Sequence, residues 1–158
     1  MKTSFEEIIN KVLEHEGGYV HDPKDLGGET KYGITKRFYP ELNIKELTKE
    51  KAKQIYKDDY WDRNRIESVP QELWYIFFDM CVNMGRRTAV KILQRAANSK
   101  GRGIDVDGGM GPATLKALNG IGVDRVRAYR VKYYSDLVTD KPEQEKFYYG
   151  WYKRAISI

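Results

Sequence analysis

A loop rich in acids and glycines, EHEGGYVHDPKDLGGETKYGIT at residues 14–35, holds the side chains best suited to chemistry. Cleavage of a glycosidic bond commonly uses one carboxylic acid that protonates the leaving oxygen, and a second group across the sugar that positions water or attacks. Glu16 is the candidate acid. Asp22 and Asp25, six and nine residues further on, are candidates for the second group if the chain folds back as a hairpin. Thr30 offers a hydroxyl that could hold a water beside such an aspartate.

Helical spacing places Glu16 at the end of an apolar face. Ser4 and Glu7 are spaced as a capping box, and Gly17 is suited to end the helix. Apolar surroundings and the negative end of a helix both disfavour a charged carboxyl, so Glu16 would keep the proton that a general acid donates. The alternative is a surface glutamate that merely ends a helix. The residues that predict the buried face are Phe5, Ile8, Ile9, Val12 and Leu13.

The other loop residues also have two interpretations. Asp22 stands directly before Pro23, a pattern typical of a turn in which the aspartate hydrogen-bonds its own backbone. Tyr19 and Tyr32 are candidate substrate contacts, because sugars stack on aromatic faces and hydrogen-bond phenol groups. Glycines at 17, 18, 27 and 28 would let the backbone pass close to a bulky polymer.

Beyond the loop, the periodicity is helical almost throughout. A short strand or hairpin is expected around residues 30–34, so the fold class is mainly α with one small β-hairpin beside the candidate site. The glycine-rich stretch at 99–111 predicts a boundary between a catalytic region, 1–98, and a second helical region, 99–158. We expect the second region to pack against the first as one compact unit. Further helices are predicted at 48–60, from Pro70 to about 84, at 88–97, 112–118 and 124–137, and from Pro142 towards the end.

The predicted helix after Pro70 is apolar on nearly every side and should be central. Tyr75, Asp79 and Asn83 stand four residues apart and form a polar stripe on it. Such a stripe could bind substrate on the floor of a sugar cleft. It could equally be a structural network, because buried polar groups are costly unless they are paired.

Composition narrows the class of protein. The chain has 158 residues, a net charge of +5, one cysteine and two histidines. These numbers exclude an intramolecular disulfide and leave little material for a zinc site, and no metal or organic cofactor is expected. Asp105 and Asp107 start an EF-hand-like pattern, but Met110 and Lys116 occupy its required glycine and glutamate positions, so a calcium loop is not expected.

The charge suits an anionic partner such as nucleic acid, a membrane surface or a bacterial wall polymer, and it could equally be only a solvated surface. We expect no nucleic-acid binding, because the cations of one predicted helix, Arg125, Arg127, Arg130 and Lys132, are spread around it. No apolar run predicts stable membrane insertion, and the acidic start, MKTSFEEIINKV, does not resemble a signal peptide. We therefore expect a monomer that is made in the cytoplasm.

The segment EGGYVHDPKDLGGETKYGIT closely resembles the signature of glycoside hydrolase family 108, lysozyme-like N-acetylmuramidases found as phage endolysins and in bacterial secretion systems. AKQIYKDDYWD and FFDMCVNMGRRTAVKILQRAAN resemble the rest of its catalytic region, and DVDGGMGPATLKAL and FYYGWYKRA resemble the predicted peptidoglycan-binding region that follows. The resemblance implies a lysozyme-like fold and Glu16 as the acid that cleaves the β-1,4 bond between N-acetylmuramic acid and N-acetylglucosamine. It also implies peptidoglycan glycan strands as the partner, with a holin or a secretion system for access to the wall.

A second resemblance, to phage-type lysozymes, is only partial. Those enzymes have an aspartate after eight intervening residues and a threonine after five more. Glu16 and Asp25 keep the first spacing, but four residues separate Asp25 from Thr30. Two alternatives to a muramidase stay open: a lytic transglycosylase, in which the sugar's own hydroxyl attacks, and a non-catalytic wall-binding protein that assists secretion.

Overall fold

The computed structural model describes residues 4–24 and 26–158. The chain forms two compact units, Met1–Arg63 and Asn64–Ile158. Helices dominate both, and the first also contains a small antiparallel sheet. The predicted fold class, mainly α with a small hairpin, is confirmed.

The first helix, α1, spans Phe5–Glu16 and begins as predicted. The amide of Glu7 donates to Ser4 Oγ at 3.3 Å, and the amide of Ser4 donates to Glu7 Oε2 at 3.0 Å. This reciprocal capping box satisfies two amides that a helix start would otherwise leave without partners. The helix ends at Gly17, whose φ of 68° is a conformation that favours glycine. Its buried residues, Ile8, Ile9, Val12 and Leu13, belong to the predicted apolar face.

A three-stranded antiparallel sheet follows, with β1 at Val20–His21, β2 at Glu29–Lys31 and β3 at Ile34–Thr35 in the order β1-β2-β3. Thr30 lies opposite Val20 on one side and Thr35 on the other. The alternation of Thr30, Tyr32 and Ile34 predicts a strand or hairpin here, and the hairpin is observed. Tyr32, however, occupies the turn and not a strand.

The next helix changes its hydrogen-bonding pattern midway. α2 spans Lys49–Tyr56, capped by Thr48, whose Oγ1 accepts from the amide of Lys51 at 3.1 Å. The chain continues as a π-helix at Lys57–Asp62, so the predicted helix at 48–60 is present but not α-helical throughout. The π-helix buries Trp61, whose ring meets Phe5 of α1 edge-on with centroids 5.1 Å apart. This contact fixes the π-helix against the start of α1.

The second unit is helical. Pro70 does not start an α-helix directly, because a short 3₁₀ turn at Gln71–Leu73 intervenes. The next α-helix, α3 at Trp74–Met84, is the predicted central one, with Ile76, Phe77, Phe78 and Met80 fully buried. The other α-helices of the second unit are α4 at Arg86–Ser99, α5 at Pro112–Ala117, α6 at Val123–Asp140 and α7 at Glu145–Ile156, with further 3₁₀ turns at Ile66–Ser68 and Pro142–Gln144.

The glycine-rich loop between α4 and α5 is held by one buried amide. Gln94 Nε2 donates to Asp107 Oδ1 and to the carbonyl of Gly109, both at 3.0 Å. Gln94 Oε1 accepts from the amide of Gly108 at 2.9 Å. Hydrogen bonds from Gln94 and from the amide of Gly109 lower the pKa of Asp107. Asp107 therefore has a structural role in shaping this loop.

A buried carboxylate joins three helices of the second unit. Asp79 on α3 is 2% exposed and accepts from Nη2 of the fully buried Arg130 on α6 at 2.6 Å. Arg154 on α7 donates to it through Nη2 at 2.8 Å and through Nε at 3.1 Å. Tyr134 bonds Arg130 and donates to Asn83 Oδ1. These contacts favour the structural interpretation of Asp79.

No helix within residues 4–24 and 26–158 has both the length and the apolar character that crossing a bilayer requires.

We predict that Asp79→Ala strongly destabilises the second unit. Two guanidinium groups would lose their shared carboxylate, and Arg130 has no access to water that could replace it. Removing one partner of a buried ion pair typically costs about 3–5 kcal/mol. Denaturant unfolding measures the loss. Asp124→Ala is the matched control, because Asp124 pairs with Arg127 while 92% exposed and exposed pairs contribute little. Similar losses in the two variants would contradict the prediction.

Candidate active site

Glu16 is the last residue of α1 and lies half-buried against the turn between β2 and β3. Its carboxylate approaches the backbone of Gly33 so closely that a Cβ placed there would lie 2.9 Å from Glu16 Oε2. The same Cβ would lie 2.5 Å from the hydroxyl oxygen of Tyr56 on α2. The acid, the turn and the phenol thus meet where Gly33 has no side chain.

The turn itself is a two-residue hairpin, because Lys31 pairs with Ile34 across it. Tyr32 and Gly33 both have positive φ, 53° and 76°. Such a turn matches the twist of the flanking strands, and its usual residues are Asn, Asp and Gly. Glycine at position 33 therefore meets two demands at once, the backbone conformation and the space for Glu16.

Tyr32 is an unusual residue for its conformation, since a left-handed backbone costs a residue with a Cβ roughly 1–2 kcal/mol. Two hydrogen bonds hold it there. Its amide donates to the carbonyl of Gly17 at 3.3 Å, and Tyr56 donates its phenol proton to the carbonyl of Tyr32 at 2.7 Å. The end of α1 and the end of α2 thereby fix the turn beside Glu16 from two sides.

A second phenol lies near the acid, on the π-helix. The rings of Tyr56 and Tyr60 are 5.6 Å apart. Burial raises the pKa of Tyr60, and the negative charges of Asp59 and Glu16 raise it further. Tyr39, which donates to Asp59 Oδ2 at 2.7 Å, also has a raised pKa through burial and this bond. A side-chain hydrogen bond with Tyr39 lowers the pKa of Tyr60 in part, and both phenols keep their protons in neutral solution.

Of the two candidates for the second carboxylate, the structure describes only Asp22. Asp25 lies outside the described residues. Asp22 is exposed, and its Oδ1 accepts from the amide of Lys24 at 2.9 Å, which is the self-bonded turn that its sequence context favours. Thr30 is half-buried in the centre of the sheet. Asp25 and Thr30 as members of the site stay predictions.

The predicted substrate contacts lie in different surroundings. Tyr19 is 37% exposed and donates to Glu29 Oε1 at 2.9 Å, a bond that raises its pKa. Tyr32 holds its ring 5.6 Å from Lys31 Nζ. Asp79 and Asn83 are in the second unit, where Asp79 is buried in its ion pairs and Asn83 is exposed. The roles of Tyr19, Tyr32, Asp79 and Asn83 in binding sugar stay predictions.

Sequence reasoning missed Gly33, Tyr56 and Tyr60 as parts of the site. A signal for the two tyrosines exists, because they stand four residues apart and so share one helical face. The close approach of Gly33 leaves no comparable pattern. The pair Tyr32–Gly33 indicates a hairpin turn only if strands are already predicted on both sides of it.

Within residues 4–24 and 26–158, no group of three or more His, Cys, Asp or Glu side chains is arranged to hold a metal ion.

A mainly α chain with a small antiparallel sheet, and a glutamate at the end of its first helix, has a lysozyme-like architecture. Residues 9–85 match the family model of Glycosyl hydrolase 108, and residues 88–156 match the Predicted Peptidoglycan domain. The chain belongs to glycosyl hydrolase family 108 and carries this peptidoglycan domain after the catalytic region. Together the two assignments support a lysozyme-like hydrolase that acts on peptidoglycan.

A solved structure supports the same relationship. The chain is 28% identical to Brucella abortus SagA and matches its structure with a TM-score of 0.76, over 97% of this chain and 90% of that one. No curated protein matches the sequence. Along the sequence, the boundary between the two family matches lies between residues 85 and 88, whereas the boundary between the compact units lies between residues 63 and 64. The domain boundary at residue 98 stays a prediction from the glycine-rich loop.

We predict that Gly33→Ala displaces Glu16 and abolishes most of the activity on peptidoglycan. The new methyl group would lie 2.5 Å from the Tyr56 hydroxyl and 2.9 Å from Glu16 Oε2, so one of them must move. Gly120→Ala is a closely matched control. Gly120 has a similar φ of 69° and lies in the second unit, and a Cβ placed there would meet no atom within 4 Å.

Both variants should lose about 1–2 kcal/mol of stability, because each puts a Cβ on a residue with a left-handed backbone. Only Gly33→Ala should also lose activity. The measurements are thermal unfolding and clearing of purified peptidoglycan at a temperature where both variants are folded. Equal activity in the two variants would show that contact with Gly33 does not position the acid.

Proposed function

We propose that the chain is an N-acetylmuramidase that hydrolyses the β-1,4 bond between N-acetylmuramic acid and N-acetylglucosamine, with Glu16 as general acid. The observation that carries this proposal is the position of Glu16, half-buried at the end of α1 against the Tyr32–Gly33 turn. A general acid must stand within hydrogen-bond reach of the oxygen that it protonates, so a defined position of this carboxyl is the first requirement of the proposed role.

In the proposed reaction, Glu16 donates its proton to the glycosidic oxygen as the bond from that oxygen to C1 of the muramic sugar breaks. Positive oxocarbenium character develops at C1, and water supplies the hydroxyl group that completes hydrolysis. A second group must orient this water or stabilise the positive charge. Asp25, with Thr30, is our candidate because the spacing from Glu16 to Asp25 is that of phage-type lysozymes.

Neighbouring groups would hold the sugar. Tyr60, whose ring lies 5.6 Å from that of Tyr56, is a candidate to contact the sugar near Glu16. Tyr19 and Tyr32, on the same unit as Glu16, offer aromatic faces on which a sugar ring can stack. The predicted peptidoglycan domain, residues 88–156, would keep the enzyme on the polymer between cleavage events.

Access to the wall would come from a partner, either a phage holin or a bacterial secretion system, as the family resemblance implies. We predict that the chain stays inside a host that expresses it without such a partner. Fractionation of the culture measures this. Appearance of the chain in the medium of intact cells would contradict a partner-dependent route.

We predict that Glu16→Gln lowers the rate of peptidoglycan clearing by at least about 100-fold, since a general acid typically contributes 10²- to 10⁴-fold. Glu14→Gln is the matched control: Glu14 lies two residues earlier on the same helix and is exposed. It should retain activity. Circular dichroism would show that both variants are folded.

Mass analysis of the soluble sugars separates the remaining functions. Reducing muramic ends from the wild type would establish hydrolysis, whereas anhydro ends would make the protein a lytic transglycosylase. Retention on the wall without clearing would make it a wall-binding accessory protein. Full activity in Glu16→Gln would remove Glu16 from the mechanism.

A further inference from the structure

The second unit contains a groove of about 380 Å³ between α4 and α6 that has no part in the site described above. α4 contributes one residue to it, Arg95. The other polar residues lie along one stripe of α6, because spacings of three and four residues keep side chains on one helical face. They are Tyr129, Lys132, Tyr133, Asp136 and Asp140.

The groove is balanced in charge, unlike the chain as a whole. Arg95 and Lys132 contribute two positive charges, and Asp136 and Asp140 contribute two negative ones, whereas the chain carries a net charge of +5. Lys132 Nζ lies 2.9 Å from Asp136 Oδ2, with both side chains about 60% exposed. An exposed pair of this kind is weak and can exchange its partner for a charged ligand.

Arg95 and Asp140 are the stronger candidates for ligand contacts. Both are exposed, and no ion pair joins either of them to another described residue. A guanidinium group recognises a carboxylate through two parallel hydrogen bonds. The carboxylate of Asp140 can accept from an ammonium group. Tyr129 and Tyr133 are half-buried and present aromatic faces with phenol tips, which suits a ligand that is part apolar and part polar.

This pattern selects one part of the peptidoglycan polymer. An uncharged sugar would make no use of the four charges, and a polyanion would be repelled by Asp136 and Asp140. The stem peptides carry free carboxylates, and an uncrosslinked stem also carries the free ammonium group of its diamino acid. We propose that the groove binds this stem peptide, with Arg95 on a carboxylate and Asp140 on the ammonium group. The proposal rests on the proposed action on peptidoglycan.

The test uses the full chain and a defined muropeptide, the disaccharide N-acetylglucosaminyl-N-acetylmuramic acid bearing a tetrapeptide with a free ammonium on diaminopimelate. Isothermal titration should show that Arg95→Gln and Asp140→Asn each weaken binding by about tenfold, the loss expected for one charge-assisted hydrogen bond. Glu143→Gln, an exposed acidic residue outside the groove, should bind as the wild type does. The disaccharide without peptide should bind the wild type and the groove variants equally weakly.

A modified ligand tests the assignment of Asp140 to the ammonium group. Acetylation of that amine should weaken binding to the wild type about as much as Asp140→Asn does, and the variant should lose nothing further with the acetylated ligand. Equal binding of the bare disaccharide and the muropeptide by the wild type would overturn the proposal. Additive losses of affinity from acetylation of the amine and from Asp140→Asn would also overturn it. Wild-type affinity in both Arg95→Gln and Asp140→Asn would do the same.

The two proposals fail separately. The muropeptide is a product of the proposed reaction, so its binding does not depend on catalysis. Binding that depends on Arg95 and Asp140, without reducing muramic ends from the wall, would retain the groove and reject the muramidase. Normal cleavage with binding unaffected by the groove variants would reject the groove alone.

Discussion

Gly33 is the point at which the elements of the first unit meet Glu16, because any side chain there would collide with the carboxylate and with the hydroxyl of Tyr56. The turn that contains it forces Tyr32 into a left-handed conformation that costs free energy. Hydrogen bonds from Tyr32 to the end of α1 and from Tyr56 to Tyr32 offset that cost. The turn beside Glu16 is therefore held by hydrogen bonds to the ends of both helices.

The second unit uses a different device for rigidity. Asp79 brings together Arg130 and Arg154 from two other helices, so three helices share one buried carboxylate. Buried charges are costly to desolvate, and such a network adds less to stability than an apolar replacement of the same shape can. The network instead contributes structural specificity, because its hydrogen-bonded ion pairs form only in one arrangement of α3, α6 and α7. α6 presents Arg130 to this network and Tyr129 and Tyr133 to the groove, so one helix supports both.

Local signals made much of this fold predictable. The capping box of Ser4 and Glu7, the apolar spacing from Ile8 to Leu13 and the apolar character of α3 each act within one element, and each prediction is confirmed. The π-helix and the Tyr32–Gly33 turn depend on contacts between elements, such as Trp61 on Phe5 and Tyr56 on Tyr32. Spacing alone could not reveal them. For the same reason Glu16 could be singled out from the sequence, whereas the close approach of Gly33 to it could not.

When the ligand is a repeating polymer, two binding sites on one chain need not lie at one particular distance from each other. Linked sites gain from each other only if the ligand can span them. A glycan strand repeats both its glycosidic bond and its stem peptide. On the two proposals above, a strand held at the groove would still offer many bonds to Glu16, in many registers. No unique distance between groove and acid is needed. The groove would then raise the local concentration of cleavable bonds without selecting one of them, and a short lifetime of each contact would let the enzyme move along the strand.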